Sequence, residues 1–124
     1  PAGPHRATLD LRADRFEALD PPSVQDREDV VSVARLANGW FRLRVGFIDV
    51  THLVAPRSRI DRYAQRVGAT YYSATRKIAT LGAPRAHGPA SFLPGCDRPA
   101  WVVELMVRPD GSLAAAPALH RALI

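Results

Sequence analysis

The sequence predicts a mixed α/β unit, a largely antiparallel sheet of about five or six strands with one clear helix. Three stretches carry that prediction. From Trp40 to Val50, Phe41, Leu43, Val45 and Phe47 alternate with Arg42, Arg44 and Gly46, the period of two that a pleated strand imposes. Pro99 to Arg108 and Leu113 to Leu123 are two further strand-like runs on either side of Pro109-Asp110-Gly111, where Pro presets φ and Gly accepts a positive one, so they pair as a hairpin. Ser58 to Val67 is the helix: Ser58 is placed to cap it, Asp61 at the third helical position completes a capping-box-like pair, and Gly68 stops it.

The remaining elements follow in chain order. Pro1 to Leu11 is a Pro- and Gly-containing lead, and residues 1–15 as a whole are expected to be loosely ordered, with the folded domain running over 16–124. Phe16 to Leu19 reads as a short strand ending at Asp20, and Val30 to Arg35 as a second, closed by a turn at Ala37-Asn38-Gly39. Within the helix, Ile60, Tyr63 and Val67 make the expected buried stripe. Arg59, Arg62 and Arg66 make an outer one, suited either to gripping phosphates or to facing solvent. Tyr71 and Tyr72 follow in extended backbone, as core residues or as an exposed stacking pair. Thr75 to Pro89 is irregular.

The chemistry concentrates between Leu19 and Val33, where Asp20, Asp26, Glu28 and Asp29 fall within ten residues just ahead of a Val-rich strand. Pro21 and Pro22 keep the chain extended after Asp20, which lets the loop bring that acid round to the others. Carboxylates gathered at the mouth of a strand suit Mg²⁺ or Mn²⁺, hard cations that take oxygen ligands, and two such ions roughly 4 Å apart can clamp a phosphodiester. A solvated acidic loop is the alternative reading. Asp49 and His52, at the exit of the central strand, are either a further ligand or base, or a structural turn.

Composition narrows the class. At 124 residues the chain can bury one modest core. Its net charge is +5, and sixteen of the seventeen basic residues are Arg, with Lys77 the only Lys. Guanidinium forks favour an anionic partner such as RNA, although coding bias in a GC-rich genome gives the same balance. A single Cys96 excludes an internal disulfide and suits a reducing compartment, cytoplasmic or organellar rather than secreted. No stretch approaches the roughly 20 apolar residues of a membrane span, so no membrane partner is expected. No P-loop, GxGxxG, HExxH or zinc spacing occurs, and the four His are scattered.

The acidic spacing, Asp20-x5-Asp26-x-Glu28-Asp29, resembles the metal-binding motif of the RNB family, the ribonuclease II and ribonuclease R type exoribonucleases. Gly46-Phe47-Ile48-Asp49-Val50-Thr51-His52 is similar to that family's H-I-A-D-V-S-H. Ser58 to Arg62 followed by Gly68 to Tyr72 is similar to its G-S-x-L-D-x-x-A helix and Tyr-bearing turn, and Ala90 to Arg98 to its C-S-L-N-P-G-V-D-R. The likeness keeps order from about Phe16 to Ile124 and corresponds to the N-terminal third of the family's catalytic domain.

The resemblance implies a Mg²⁺- or Mn²⁺-dependent hydrolytic 3′-to-5′ exoribonuclease, with Asp20, Asp26, Glu28 and Asp29 as catalytic and metal-binding residues. It implies single-stranded RNA as partner, held by Tyr72 stacking on the terminal base and by Arg59, Arg62 and Arg66. The far half of the domain would supply a catalytic Arg, so this half is expected to expose one apolar face or to pack it on another chain. Where the family has adjacent aspartates, this chain has Glu28-Asp29. The extra methylene displaces a carboxylate by more than an ångström, and a misplacement of about 1 Å can cost on the order of a hundredfold in rate. The isolated chain is therefore expected to be inactive or weakly active, with the metal either kept or lost. The alternative is a degenerate, non-catalytic RNB-like protein that serves RNA binding or assembly in a larger complex such as an organellar ribonucleoprotein.

Overall fold

The structure is a computed structural model, and it describes residues 9–124. Seven strands and two α-helices follow in order: β1 (Leu9–Asp10), β2 (Asp29–Arg35), β3 (Phe41–Ile48), α1 (Arg59–Val67), β4 (Tyr71–Tyr72), β5 (Lys77–Ile78), α2 (Ala83–Ala86), β6 (Pro99–Val107) and β7 (Ala118–Leu123). Five form one sheet in the order β1-β7-β6-β3-β2. All neighbours in it are antiparallel except β1 and β7, while β4 and β5 make a separate two-stranded ribbon.

The long strands arise where the alternation is cleanest, and their turns carry the expected chemistry. Asn38 accepts from the Trp40 backbone N–H at 3.1 Å, and Gly39 takes φ +81°, a conformation a side chain would penalise. Past the Pro109-Asp110-Gly111 turn, Leu113 makes a single bridge to Val107 and regular pairing resumes only at Ala118, so β7 is shorter than the run that predicts it.

Which face of the sheet is buried differs from the simple reading of the alternation. Register places Val30, Gly46, Val102 and His120 side by side on one face, and this face holds the core: Leu11, Val30, Phe92, Ala100, Val102 and Ala122, flanked by Phe16, Ala18, Ile48 and Ile124. The apolar stripe of β3 lies on the other side, where Phe41, Leu43 and Val45 are only half-buried and Phe47 is 45% exposed. Two residues permit the inversion. Gly46 leaves room for Ile124, Val30 and Phe16, and Arg44 is buried because Asp14 and Glu104 (2.6 Å) pair its guanidinium. The outer face keeps Val33, 62% exposed, and Leu119, 64% exposed, in line with the expectation of an uncovered apolar surface.

Other boundaries shift as well. The strand expected over Phe16 to Leu19 reduces to one bridge, Glu17 to Val31. Of the lead expected to be loose, residues 1–8 lie outside the described residues; Leu9 and Asp10 pair with Ala122 and Leu123 and Leu11 joins the core, so the looseness does not extend to residues 9–15. Helix α1 forms as expected, with Ser58 Oγ accepting the Asp61 N–H at 3.2 Å and Gly68 following its last turn. Its supposed buried stripe is not buried: no residue of α1 is buried, and Tyr63 is exposed. Within the stretch expected to be irregular lie β5 and the single turn of α2. Among the described residues no helix is long and apolar enough to cross a membrane.

Candidate functional site

The acidic loop is fixed from below by one hydroxyl. Ser91, with no exposed surface, accepts a hydrogen bond from the Arg27 N–H (3.0 Å) and donates one to the Gln25 carbonyl (3.0 Å), while the Phe92 N–H donates to the Arg27 carbonyl (2.8 Å). At the other end the Ile48 N–H donates to the Glu28 carbonyl (3.1 Å), and Asp29 opens β2 opposite Phe47. These contacts hold Asp26, Glu28 and Asp29 at the edge of the sheet. Ser91 carries no charge and lies far along the chain, so only its place in the Ala90-Ser91-Phe92 segment marks it in the sequence.

Three of the acids act on the fourth, Glu28, without closing round a common point. Burial raises the Glu28 carboxyl above its ordinary pKa, with Asp26, Asp29 and Asp20 adding to the rise and Lys77 opposing it. Asp26 is enclosed where it faces Lys77, its side chain 7% exposed and ion-paired with the Lys77 ammonium. That ammonium also lies over the Tyr72 ring, 5.1 Å from its centroid. Among the described residues no three acidic, His or Cys side chains are grouped so as to hold a metal ion. As arranged, the donor set does not fit a divalent ion, because the enclosed Asp26 carboxylate already pairs with a cation from the chain itself.

Asp49 and His52 belong to the structural reading. Asp49 is 2% exposed and accepts from the Thr51 N–H (3.1 Å) and Thr51 Oγ1 (2.6 Å), capping a short 3₁₀ turn, Val50–His52. His52 Nε2 and Arg121 Nε approach it at 3.5 and 3.6 Å.

Tyr72 is 72% exposed and Tyr71 59%, so the reading of both as core residues does not hold. Tyr72 and Glu28 border a cleft of about 860 Å³ whose walls include Phe47, Val50, Val54, Ala64 and Leu81. An apolar floor with an aromatic edge and a carboxylate rim can take a flat ring and orient a polar group attached to it. Arg59, Arg62 and Arg66 are exposed on α1 and do not line this cleft; Arg62 instead donates to the Arg57 carbonyl at 2.6 Å.

The family model described as "RNB domain" matches residues 8–124. Two Arabidopsis thaliana proteins, "DIS3-like exonuclease 2" and "Inactive exonuclease DIS3L2", are each 33% identical over 94 residues, 76% of this chain and 9% of their own length. The structure of Mycoplasma genitalium RNase R in complex with ribose methylated single-stranded RNA superposes with a TM-score of 0.87 at 27% identity, covering 97% of this chain and 19% of that one. The chain thus spans a small part of the proteins it matches.

Proposed function

Because this chain belongs to the RNB-domain family, we propose that it is the acid-bearing, RNA-associated part of a hydrolytic 3′-to-5′ exoribonuclease unit of that family and does not hydrolyse RNA by itself. The observation that carries the reading is the cleft edged by Tyr72 and Glu28, directly beside the acidic loop, in a fold that superposes on an RNase R bound to single-stranded RNA. Tyr72 presents an exposed ring on which a terminal base can stack, and the +5 charge favours the backbone that follows it. Asp20, Asp26, Glu28 and Asp29 are the proposed catalytic and metal-facing residues, and Arg59, Arg62 and Arg66 the outer contacts to phosphate.

The family is generally Mg²⁺-dependent, and the bound ion would supply charge neutralisation at the scissile phosphate. In this chain Asp26 is committed to Lys77, and what its own residues do is bind and orient: Tyr72 the base, Glu28 the rim of the cleft. A second reading, a degenerate module kept for RNA binding or assembly, is favoured by that Lys77 pairing, and one similar protein bears the name of an inactive exonuclease. The single free Cys96 accords with a reducing compartment under either reading.

The test uses a 3′-labelled single-stranded RNA with Mg²⁺, read by both binding and nucleotide release. Binding without release is expected, and Tyr72→Ala should weaken binding by about 1 to 3 kcal/mol, the worth of one base–aromatic stack. Robust Mg²⁺-dependent release by the 124-residue chain would overturn the inactivity, and absence of binding would overturn the RNA reading.

A further inference from the structure

We infer that Lys77 is a tethered cation standing in the acidic cluster in place of a divalent ion, so that a metal enters only by expelling the ammonium. The inference deepens the proposed reading of the acidic site and rests on it, but it concerns charge within the chain and needs no RNA.

Three observations converge on it. First, Asp26 has a side chain 7% exposed, and an ionised carboxylate so enclosed is costly unless an opposite charge meets it; Lys77 is the cation in contact. Second, the ammonium is aimed by the fold. Tyr72 and Lys77 are register partners across the two-stranded ribbon, and the Tyr72 ring centroid lies 5.1 Å from the ammonium, so that an aromatic face and a carboxylate flank it. Third, the residue type is singular. Sixteen of the seventeen basic residues are Arg, and the one compact, strongly hydrated point charge in the chain sits where a hard cation would be expected.

Because Lys77 is the only lysine, its acetylation by acetic anhydride is read from the mass of one peptide of the folded chain. The expected rate is about tenfold or more below that of the same lysine in the urea-unfolded chain, because the ammonium must leave its ion pair with Asp26 before the amine can react, and Asp26→Asn should restore it. Equal rates in folded and unfolded chain would overturn the inference. Independently, Mn²⁺ affinity measured by electron paramagnetic resonance should tighten by roughly tenfold or more in Lys77→Met, as expected when a like charge is removed from beside a bound cation. Unchanged Mn²⁺ affinity in a folded Lys77→Met chain would overturn it too. If that variant does not fold, the acetylation rate of the unaltered chain decides. Loss of RNA binding with slow acetylation retained would overturn the functional reading and leave the Lys77 inference standing.

Discussion

The hydroxyl of Ser91 and the backbone N–H of Arg27 meet at 3.0 Å, joining the buried turn before β6 to the acidic loop. The same hydroxyl donates to the Gln25 carbonyl, so one side chain satisfies two loop groups that have no strand to pair with. Ser91→Ala should destabilise the chain by about 1 to 3 kcal/mol, since it strands a donor and an acceptor. Urea unfolding measures the loss, and hydrogen exchange at the Arg27 amide should accelerate with it. An unchanged exchange rate would mean that the loop is held by other contacts.

A close approach in the core leads to the second prediction. A Cβ placed on Gly46 would lie 2.8 Å from Ile124 Cδ1 and 3.2 Å from Val30 Cγ2. Gly46→Ala is expected to cost about 1 to 3 kcal/mol through overpacking. Ile124→Val removes the closest atom, so the double variant should be less destabilised than the two single effects added together. Simple additivity would show that the clash is relieved elsewhere.

The helix and the hairpin were legible in the sequence because their determinants are local. Ser58 caps its own helix, and the Pro109-Asp110-Gly111 turn is decided by its own backbone preferences. The buried face of β3 was not legible. The apolar stripe argued for one side, while a glycine and an arginine claimed the other through Asp14, Glu104 and Ile124, residues distant in sequence. For the same reason the acids of the candidate site were visible as a local spacing, whereas the Lys77 contact depends on how a two-residue ribbon folds back over the loop. Leu9 and Asp10 escaped notice because parallel pairing with β7 needs the far end of the chain.

Arg12 hydrogen-bonds both oxygens of Asp10 and holds its carboxyl at about 2, below the ordinary 3.8. A carboxyl whose pKa falls on folding contributes stability above its unfolded value and loses that contribution as pH drops through the folded one. The stability difference between the chain and Asp10→Asn should therefore be present at pH 6 and shrink between about pH 4 and 2. Both groups lie at the surface, so the effect is small and salt weakens it. Thermal melts of the two chains at low and high ionic strength check this. A difference that persists at pH 2 would point to packing rather than charge.

Asp49 provides the sharpest separation between a structural and a chemical carboxylate. It is 2% exposed, caps Val50–His52 through Thr51, and lies 3.6 Å from Arg121 Nε, a buried nitrogen with no hydrogen-bond partner, on a guanidinium stacked 4.7 Å from the Trp101 ring centroid. Asp49→Asn keeps an oxygen for Thr51 but withdraws the charge facing Arg121. At these separations, with Arg121 a third exposed, the expected loss is about 1 to 3 kcal/mol rather than that of a fully buried pair. Arg121→Met in the same chain should recover part of it, because the unpaired cation is then gone. Mn²⁺ affinity in the Lys77→Met background should be untouched by Asp49→Asn, since Asp49 is occupied with its own turn and is not among the acids that raise Glu28. If Asp49→Asn instead abolished that Mn²⁺ binding while stability held, Asp49 would be a ligand and the structural assignment would fail.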